Sequence, residues 1–169
     1  MGQRHARIEP FTNDFELFES LYPRLRRFAA YVADADIEPD DLVQDALLAT
    51  LQRYELSELD NPAAYLKRAI LNKAANKRRG FARMHAALAR VRPEAGREDE
   101  YPVEFTVLDA LDPTDRAILY LADVAGVPLA TVAADLELTP SAVRKRASRA
   151  REQLRQELGT NLVPLREGH

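Results

Sequence analysis

The stretch that decides the fold is residues 129–154, LATVAADLELTPSAVRKRASRAREQL. Its first part, Leu129 to Leu136, has the apolar spacing of a short amphipathic helix. A tight turn follows, and then Thr139-Pro140 supplies a helix N-cap and a proline at the first helical position. The residues that would form the small core between the two helices are Val132, Ala133, Leu136, Leu138 and Val143. This pattern predicts a helix-turn-helix.

The second helix of this motif is basic, with six bases and two acids between Pro140 and Leu158. A helix fits the major groove of DNA, and the residues near its N-terminus reach the base edges. The candidates for base contacts are Ser141, Arg144 and Lys145. The candidates for phosphate contacts, which position a protein without reading sequence, are Arg146, Arg149 and Arg151. The alternative is a charged surface helix in an ordinary bundle.

The rest of the chain also has apolar periods near 3.6 and almost no alternation of period two, so the fold class is predicted to be all-α. Helix starts are indicated at Asn13, Pro39, Asn61-Pro62 and Asp112-Pro113, and Pro23 is expected to kink or loosen the first helix. The third helix is expected to end near Gly80. The predicted organisation is a small helical domain over 10–83, a flexible acidic linker over 84–106, the helix-turn-helix domain over 107–159 and a tail over 160–169.

The charge pattern is blocky, although the formal net charge is only −3. Residues 34–60 hold nine acids and one base, whereas residues 61–93 hold nine bases and no acid. Either block alone is consistent with a solvated helix face. Two separated basic blocks in an acid-rich chain favour two surfaces that bind nucleic acid.

Several classes of protein are disfavoured by what the sequence lacks. There is no cysteine, and the three histidines have no metal-ligand spacing, so no metal and no cofactor is expected. No glycine-rich phosphate loop is present, and no nucleophile–base pair is apparent. No stretch approaches the roughly 20 apolar residues that a membrane span needs. We therefore expect a cytoplasmic protein that is not an enzyme and does not insert into a membrane.

The helix-turn-helix resembles a known family. The run from Ser141 to Arg151, ending in Leu154, resembles the recognition helix of region 4 in bacterial sigma factors of the extracytoplasmic-function type, and Leu108 to Leu119 resembles the start of that region. One departure is Glu137, which stands in the turn where the family usually has glycine. If this position needs a positive φ, the glutamate costs on the order of 1 kcal/mol.

The first half of the chain carries an independent resemblance to region 2 of the same family. The segment Asp40 to Asp45, DDLVQD, resembles the most recognisable motif of that region. The segment Asn61 to Arg68, followed by Asn76 to Arg79, resembles the promoter-melting segment. Tyr65 stands where most members have tryptophan, as in a subgroup of actinobacterial appearance.

The DDLVQD helix is predicted to carry a binding face, because residues three and four apart share one side of a helix. The face consists of Asp41, Gln44, Asp45 and Leu48. An acidic face with one apolar residue suits a basic helical partner. The resemblance implies that this partner is the pair of clamp helices of the RNA polymerase β′ subunit. From the residues alone, a solvated acidic helix start explains the face equally well.

The promoter-melting segment is predicted to bind the −10 element with Asn72, Lys73, Asn76, Lys77, Arg78 and Arg79. The resemblance implies that this helix and the loop before it, about Glu55–Asn61, capture unstacked bases. Opening DNA costs a few kcal/mol per flipped base, which stacking and pocket contacts recover. Tyr65 fits either a stacking platform or the core.

The resemblance as a whole implies a sigma factor that directs core RNA polymerase to promoters in a stress or envelope response. Its implied partners are the β′ clamp helices, the β flap, promoter DNA and an anti-sigma factor. Two other functions remain open from the sequence. One is a sigma-like decoy or adaptor that sequesters an anti-sigma factor, and the other is a helix-turn-helix repressor that works without polymerase.

Overall fold

The structure is a computed structural model that describes residues 10–91 and 107–161. The first range forms the N-terminal unit, with helices α1 (Pro10–Val32), α2 (Pro39–Leu51) and α3 (Pro62–Val91). A short 3-10 turn, Leu56–Glu58, lies between α2 and α3. No strand occurs in either described range, so the all-α prediction is confirmed there.

The N-terminal unit is a three-helix bundle, because each helix has an apolar stripe at steps of three and four that faces the other two. The fully buried residues of the stripes include Leu25, Phe28 and Val32 on α1, Leu42, Val43 and Ala46 on α2, and Leu66, Ile70 and Ala74 on α3.

The C-terminal unit contains α4 (Pro113–Leu119), α5 (Leu129–Asp135) and α6 (Pro140–Asn161), with a π-helical turn over Tyr120–Val124 after α4. Two predicted N-caps are confirmed by their hydrogen bonds. Asp112 Oδ1 accepts from the Thr114 backbone N–H at 2.9 Å, and Thr139 Oγ1 accepts from the Ala142 N–H at 3.2 Å.

The two units share one hydrophobic core. Tyr120 lies against α1, with ring centroids 5.9 Å from Phe28 and 4.6 Å from Tyr31. Ile118 and Leu121 are buried in the same cluster. The sequence predicts the apolar stripes within each unit but does not predict that the two units pack together. The apolar residues at the contact also fit a core within one unit.

A buried arginine fixes this contact. Arg116 on α4 is 1% exposed, and its guanidinium donates to the Ala33 carbonyl oxygen at 2.8 Å and to Leu111 O at 3.1 Å. It also bonds the Asp34 carboxylate at the end of α1 and lies 3.4 Å from Asp109 Oδ1. A buried charge needs this degree of pairing, because an unpaired one costs several kcal/mol.

Several predicted element ends are wrong. Helix α3 does not end near Gly80 but continues to Val91, so the predicted linker begins inside a helix. Glycine in a helix interior costs only about 1 kcal/mol relative to alanine, and the alanine-rich segment after Gly80 favours helix. The apolar spacing after Pro39 predicts a helix to about Tyr54 with that side chain facing inward, but α2 ends at Leu51 and Tyr54 is 45% exposed.

Three smaller differences concern the other helices. Helix α1 begins at Pro10, before the predicted cap at Asn13, and runs on through Pro23. The spacing of Ile118, Leu119, Ala122 and Val124 predicts one apolar helix side up to Gly126, but Val124 lies in the π-helical turn and is 59% exposed. Helix α6 includes Gly159 and ends at Asn161. The predicted acidic linker residues Glu94, Glu98, Asp99, Glu100 and Glu104 and the tail beyond Asn161 lie outside the described residues.

Candidate functional site

The helix-turn-helix is formed by α5, a tight turn and α6, as predicted. The turn is closed by two backbone hydrogen bonds, from Glu137 N to Ala134 O at 3.2 Å and from Leu138 N to Ala133 O at 2.9 Å. The backbone φ of Glu137 is 54°. Within the described ranges, Glu137 is the one residue other than glycine whose φ is positive. The glutamate therefore occupies a left-handed position that favours glycine.

Helix α6 presents one side to solvent. Val143, Ala147 and Ala150 are buried and anchor the helix to the unit beneath it. Four of the predicted DNA contacts are exposed in the first three turns: Ser141, Arg144, Lys145 and Arg149. A helix side that enters a major groove must be exposed in this way.

The other two predicted contacts on α6 already have partners. Arg146 forms ion pairs with Asp112 Oδ1 at 2.9 Å and Asp115 Oδ1 at 2.7 Å, and burial raises the pKa of Asp115. Arg151 bonds both carboxylate oxygens of Asp123, at 2.6 Å and 3.0 Å. These bonds lower the pKa of Asp123. Both arginines therefore tie α6 to the preceding helical segments in the described structure.

The predicted −10 residues other than Arg78 lie along the outer side of α3. Asn72 is exposed and Lys73 is half-buried. Asn76 and Arg79 are exposed and hydrogen-bonded to each other. Lys77 Nζ lies 3.4 Å from Asp45 Oδ2 on α2.

Arg78 differs from these residues, because its guanidinium faces the C-terminal unit. It donates to the carbonyl oxygens of Leu111 at 2.6 Å and Asp109 at 3.2 Å. Earlier on α3, Arg68 donates to Asp135 O at 2.9 Å and Lys67 Nζ lies 3.4 Å from Asp135 Oδ2. Lys67 and Arg68 lie in the promoter-melting segment but are not among the predicted −10 contacts, and their partners lie far along the chain. Part of the basic side of α3 is therefore covered by the C-terminal unit.

The predicted polymerase-binding face lies on the exposed side of α2. Asp41 and Gln44 are exposed, Asp45 is half-buried beside Lys77, and Leu48 is 61% exposed. An apolar cavity of about 490 Å³ lies next to this face, between α1, α2 and the following loop. Its lining residues are Asp14, Phe15, Phe18, Leu47, Leu51, Tyr54, Glu55 and Leu56.

The loop predicted to capture bases, about Glu55–Asn61, is held at both ends. Glu55 and Glu58 form a reciprocal capping box, and Asn61 Oδ1 accepts from the Ala64 N–H at 3.0 Å. Leu56 is 1% exposed and anchors the loop in the core. Asp14, which the sequence pattern did not single out, bonds two backbone N–H groups of this loop.

Tyr65 at the start of α3 is half-buried. Its ring meets the Tyr54 ring edge-on at 5.7 Å, and the Arg68 guanidinium lies 5.6 Å from its centroid. The side chain is thus packed on one side and accessible on another, between the two roles predicted for it.

Within residues 10–91 and 107–161, no helix is long and apolar enough to cross a membrane. The same ranges contain no group of histidine and acidic side chains that could hold a metal ion.

Comparison with known proteins identifies both units. Residues 17–84 match the family model for sigma-70 region 2, and residues 106–154 match that for sigma-70 region 4. A solved structure of the sigma factor RpoE in complex with the anti-sigma factor NepR, from Bartonella quintana, is similar to the fold, with a TM-score of 0.62. The two chains are 23% identical over 88% of this chain and 98% of that one. No curated protein matches the sequence significantly.

Proposed function

This chain belongs to the sigma-70 family of sigma factors, as its matches to regions 2 and 4 in the expected order show. We propose that separate surfaces of it bind core polymerase, the −35 element and the −10 element. Sigma factors of this family bind core RNA polymerase and promoter DNA and are regulators rather than enzymes. The placement of this chain in an actinobacterial subgroup stays a prediction, as does the stress or envelope response.

For the −35 element, the proposal assigns sequence reading to the exposed start of α6. Ser141, Arg144 and Lys145 lie in its first two turns, where a recognition helix reaches base edges. Arg149 lies one turn further and suits a phosphate contact. Arg146 and Arg151 reach DNA only if they exchange their carboxylate partners for phosphates.

For polymerase, the proposal assigns the α2 face of Asp41, Gln44, Asp45 and Leu48 to the β′ clamp helices and the C-terminal unit to the β flap. The exposure of Leu48 supports this assignment, because a large apolar side chain on the same face as Asp41 and Asp45 suits a basic amphipathic helix. By analogy with the RpoE–NepR complex, an anti-sigma factor is proposed as a competing partner. The proposed location is the cytoplasm, where polymerase and promoter are found.

For the −10 element, the proposal assigns strand capture to α3 and the loop before it.

The −35 and −10 elements lie about 25 base pairs apart, or about 85 Å along the duplex at ~3.4 Å per base pair. The two units pack together through Arg78 and Arg116. We infer that polymerase separates them, which also uncovers the cations of α3.

The test is run-off transcription with purified core polymerase and fragments of the source genome. Specific transcripts that require the added chain are expected. A chain that binds an anti-sigma factor but yields no transcript with core is instead a decoy. If the chain does not associate with core at low salt but binds intact duplex alone, the polymerase-independent repressor is the better description.

A further inference from the structure

One side chain outside the predicted DNA and polymerase surfaces contacts the loop that precedes α3. Asp14, near the start of α1, accepts hydrogen bonds from the backbone N–H of Leu56 at 2.8 Å and of Ser57 at 2.9 Å. Each carboxylate oxygen takes one of the two bonds. The contact joins residues 42 and 43 positions apart in the chain, so it is tertiary rather than local.

The two N–H groups are those that a 3-10 turn leaves without a partner at its beginning. Leu56 and Ser57 open the turn Leu56–Glu58, and the capping box of Glu55 and Glu58 satisfies other groups of the same turn. A carboxylate that accepts backbone N–H bonds forms charge-assisted hydrogen bonds, which are about twice as strong as neutral ones. Asp14 therefore accepts hydrogen bonds from two N–H groups that the turn itself cannot pair, and it holds the backbone in place there.

The fixed turn leaves polar side chains directed outward. Leu56 is buried, whereas Ser57, Glu58 and Asp60 are exposed beside the N-terminus of α3. A loop that must hold an unstacked base gains affinity when its conformation is set beforehand, because less conformational entropy is lost on binding.

We propose that Asp14 is a positioning residue for strand capture, holding residues 55–58 in the conformation that receives an unstacked base of the −10 element. The inference rests on the proposed function of this loop. Asp14 itself acts through the backbone of Leu56 and Ser57 and does not contact the DNA.

The test compares three full-length variants bound to core polymerase: Asp14→Ala, Asp14→Asn and the control Glu16→Ala. Glu16 is exposed on the same helix, so its replacement removes the same charge without removing the loop contact. The probe is a fork-junction DNA, made from the strongest promoter that the wild-type holoenzyme transcribes, with the −10 non-template strand left single-stranded. A duplex carrying only the −35 element serves as the second probe.

Asp14→Ala is expected to bind the fork about ten-fold more weakly than wild type, as befits the loss of charge-assisted hydrogen bonds. Its affinity for core and for the −35 duplex should stay unchanged, and the Leu56 and Ser57 amides should exchange hydrogen faster. Asp14→Asn keeps the shape and one acceptor oxygen, so it should fall between Asp14→Ala and wild type. Glu16→Ala should bind the fork as wild type does or slightly better, because it removes a negative charge.

Equal fork binding by Asp14→Ala and Glu16→Ala overturns the proposal. If Asp14→Ala does not fold, Asp14→Asn decides, and wild-type fork binding by that variant with unprotected Leu56 and Ser57 amides is the overturning result. If the wild-type holoenzyme itself does not bind the fork, the proposed function of the loop fails, which is a different outcome from the failure of Asp14 alone.

Discussion

Lys77 Nζ on α3 lies 3.4 Å from Asp45 Oδ2 on α2, so a predicted DNA contact is paired with a predicted polymerase contact. The side chains are 36% and 44% exposed, so the pair is accessible to both partners and adds little to stability. A polymerase helix that takes Asp45 would leave Lys77 available for phosphate. The two faces of the N-terminal unit thus meet at one ion pair.

Asp45→Arg is expected to weaken association with core polymerase by ten-fold or more, roughly 1.4 kcal/mol, because it places a cation against a basic partner. Association can be measured by fluorescence anisotropy of labelled chain with core enzyme. Lys77→Ala is the control, since it removes the same intramolecular pair. Core affinity should persist in Lys77→Ala, and a similar loss in both variants would mean that the pair, not the α2 face, matters.

Arg144→Ala is expected to weaken recognition of the −35 element by roughly 1–3 kcal/mol if the guanidinium contacts a base. The loss should be largest on the cognate sequence and small on scrambled DNA. Arg155→Ala on the same helix is the matched control, because Arg155 is exposed and pairs with Glu152 at 2.7 Å. An unchanged preference between cognate and scrambled DNA in Arg144→Ala would refute the base contact.

Glu137→Gly is expected to stabilise the protein by up to about 1 kcal/mol, or ~2–4 °C in Tm. The reason is the φ of 54° at this position, which glycine adopts without the Cβ clash. The substitution also removes an ion pair with Arg68 at 3.2 Å, but the Glu137 side chain is 71% exposed and that pair contributes little. Glu137→Ala loses the pair and keeps the strain, so it should melt below Glu137→Gly. Equal melting of the two variants would argue against strain.

Arg116→Ala is expected to destabilise the chain by about 3–5 kcal/mol, because it leaves the Asp34 carboxylate and two carbonyl groups without their buried partner. Urea unfolding followed by circular dichroism measures the change. Arg26→Ala is the comparison, since Arg26 pairs with Asp40 at 2.9 Å on the surface and should cost less than about 1 kcal/mol. Similar losses of unfolding free energy in both variants would mean that buried Arg116 contributes no more to stability than a surface ion pair.

The Arg151–Asp123 pair predicts a dependence of stability on pH. Hydrogen bonds from Arg151 hold the pKa of Asp123 below its ordinary value of 3.8. A carboxyl with a lowered folded-state pKa contributes stability above the unfolded-state pKa, and this contribution is lost as the pH falls through the folded-state pKa. The unfolding free energies of wild type and Arg151→Ala should therefore differ near neutral pH and converge in acid below pH 3.8. A difference that persists in acid would exclude this linkage.

Local signals in the sequence predicted most helix starts. The Asp112-Pro113 and Thr139-Pro140 pairs begin α4 and α6 because a side-chain oxygen and a fixed φ act within a few residues. Helix ends were less predictable. Gly80 predicts a helix end, but α3 continues past it because the cost of one glycine is smaller than the helix preference of the alanines after it.

The tertiary contacts could not be predicted from these signals. Arg78 carries the same charge as its neighbours on α3, yet it bonds carbonyl groups of the C-terminal unit rather than facing solvent. Nothing in the local pattern distinguishes Asp14 from other acids, because its partners are backbone groups that any sequence has. Which of several similar side chains meets a distant backbone is decided by packing, not by local pattern.

The burial of Tyr120, Ile118 and Leu121 against α1 has a consequence for how the chain responds to denaturation. Two segments that match separate family regions bury their apolar side chains in one shared core. Unfolding of either segment therefore destabilises the other. Cutting the protein into its two halves would uncover Phe28 on one piece and Ile118 on the other. Each fragment would then expose an apolar surface that is buried in the intact chain. The solubility of a fragment would therefore be lower than that of the intact chain.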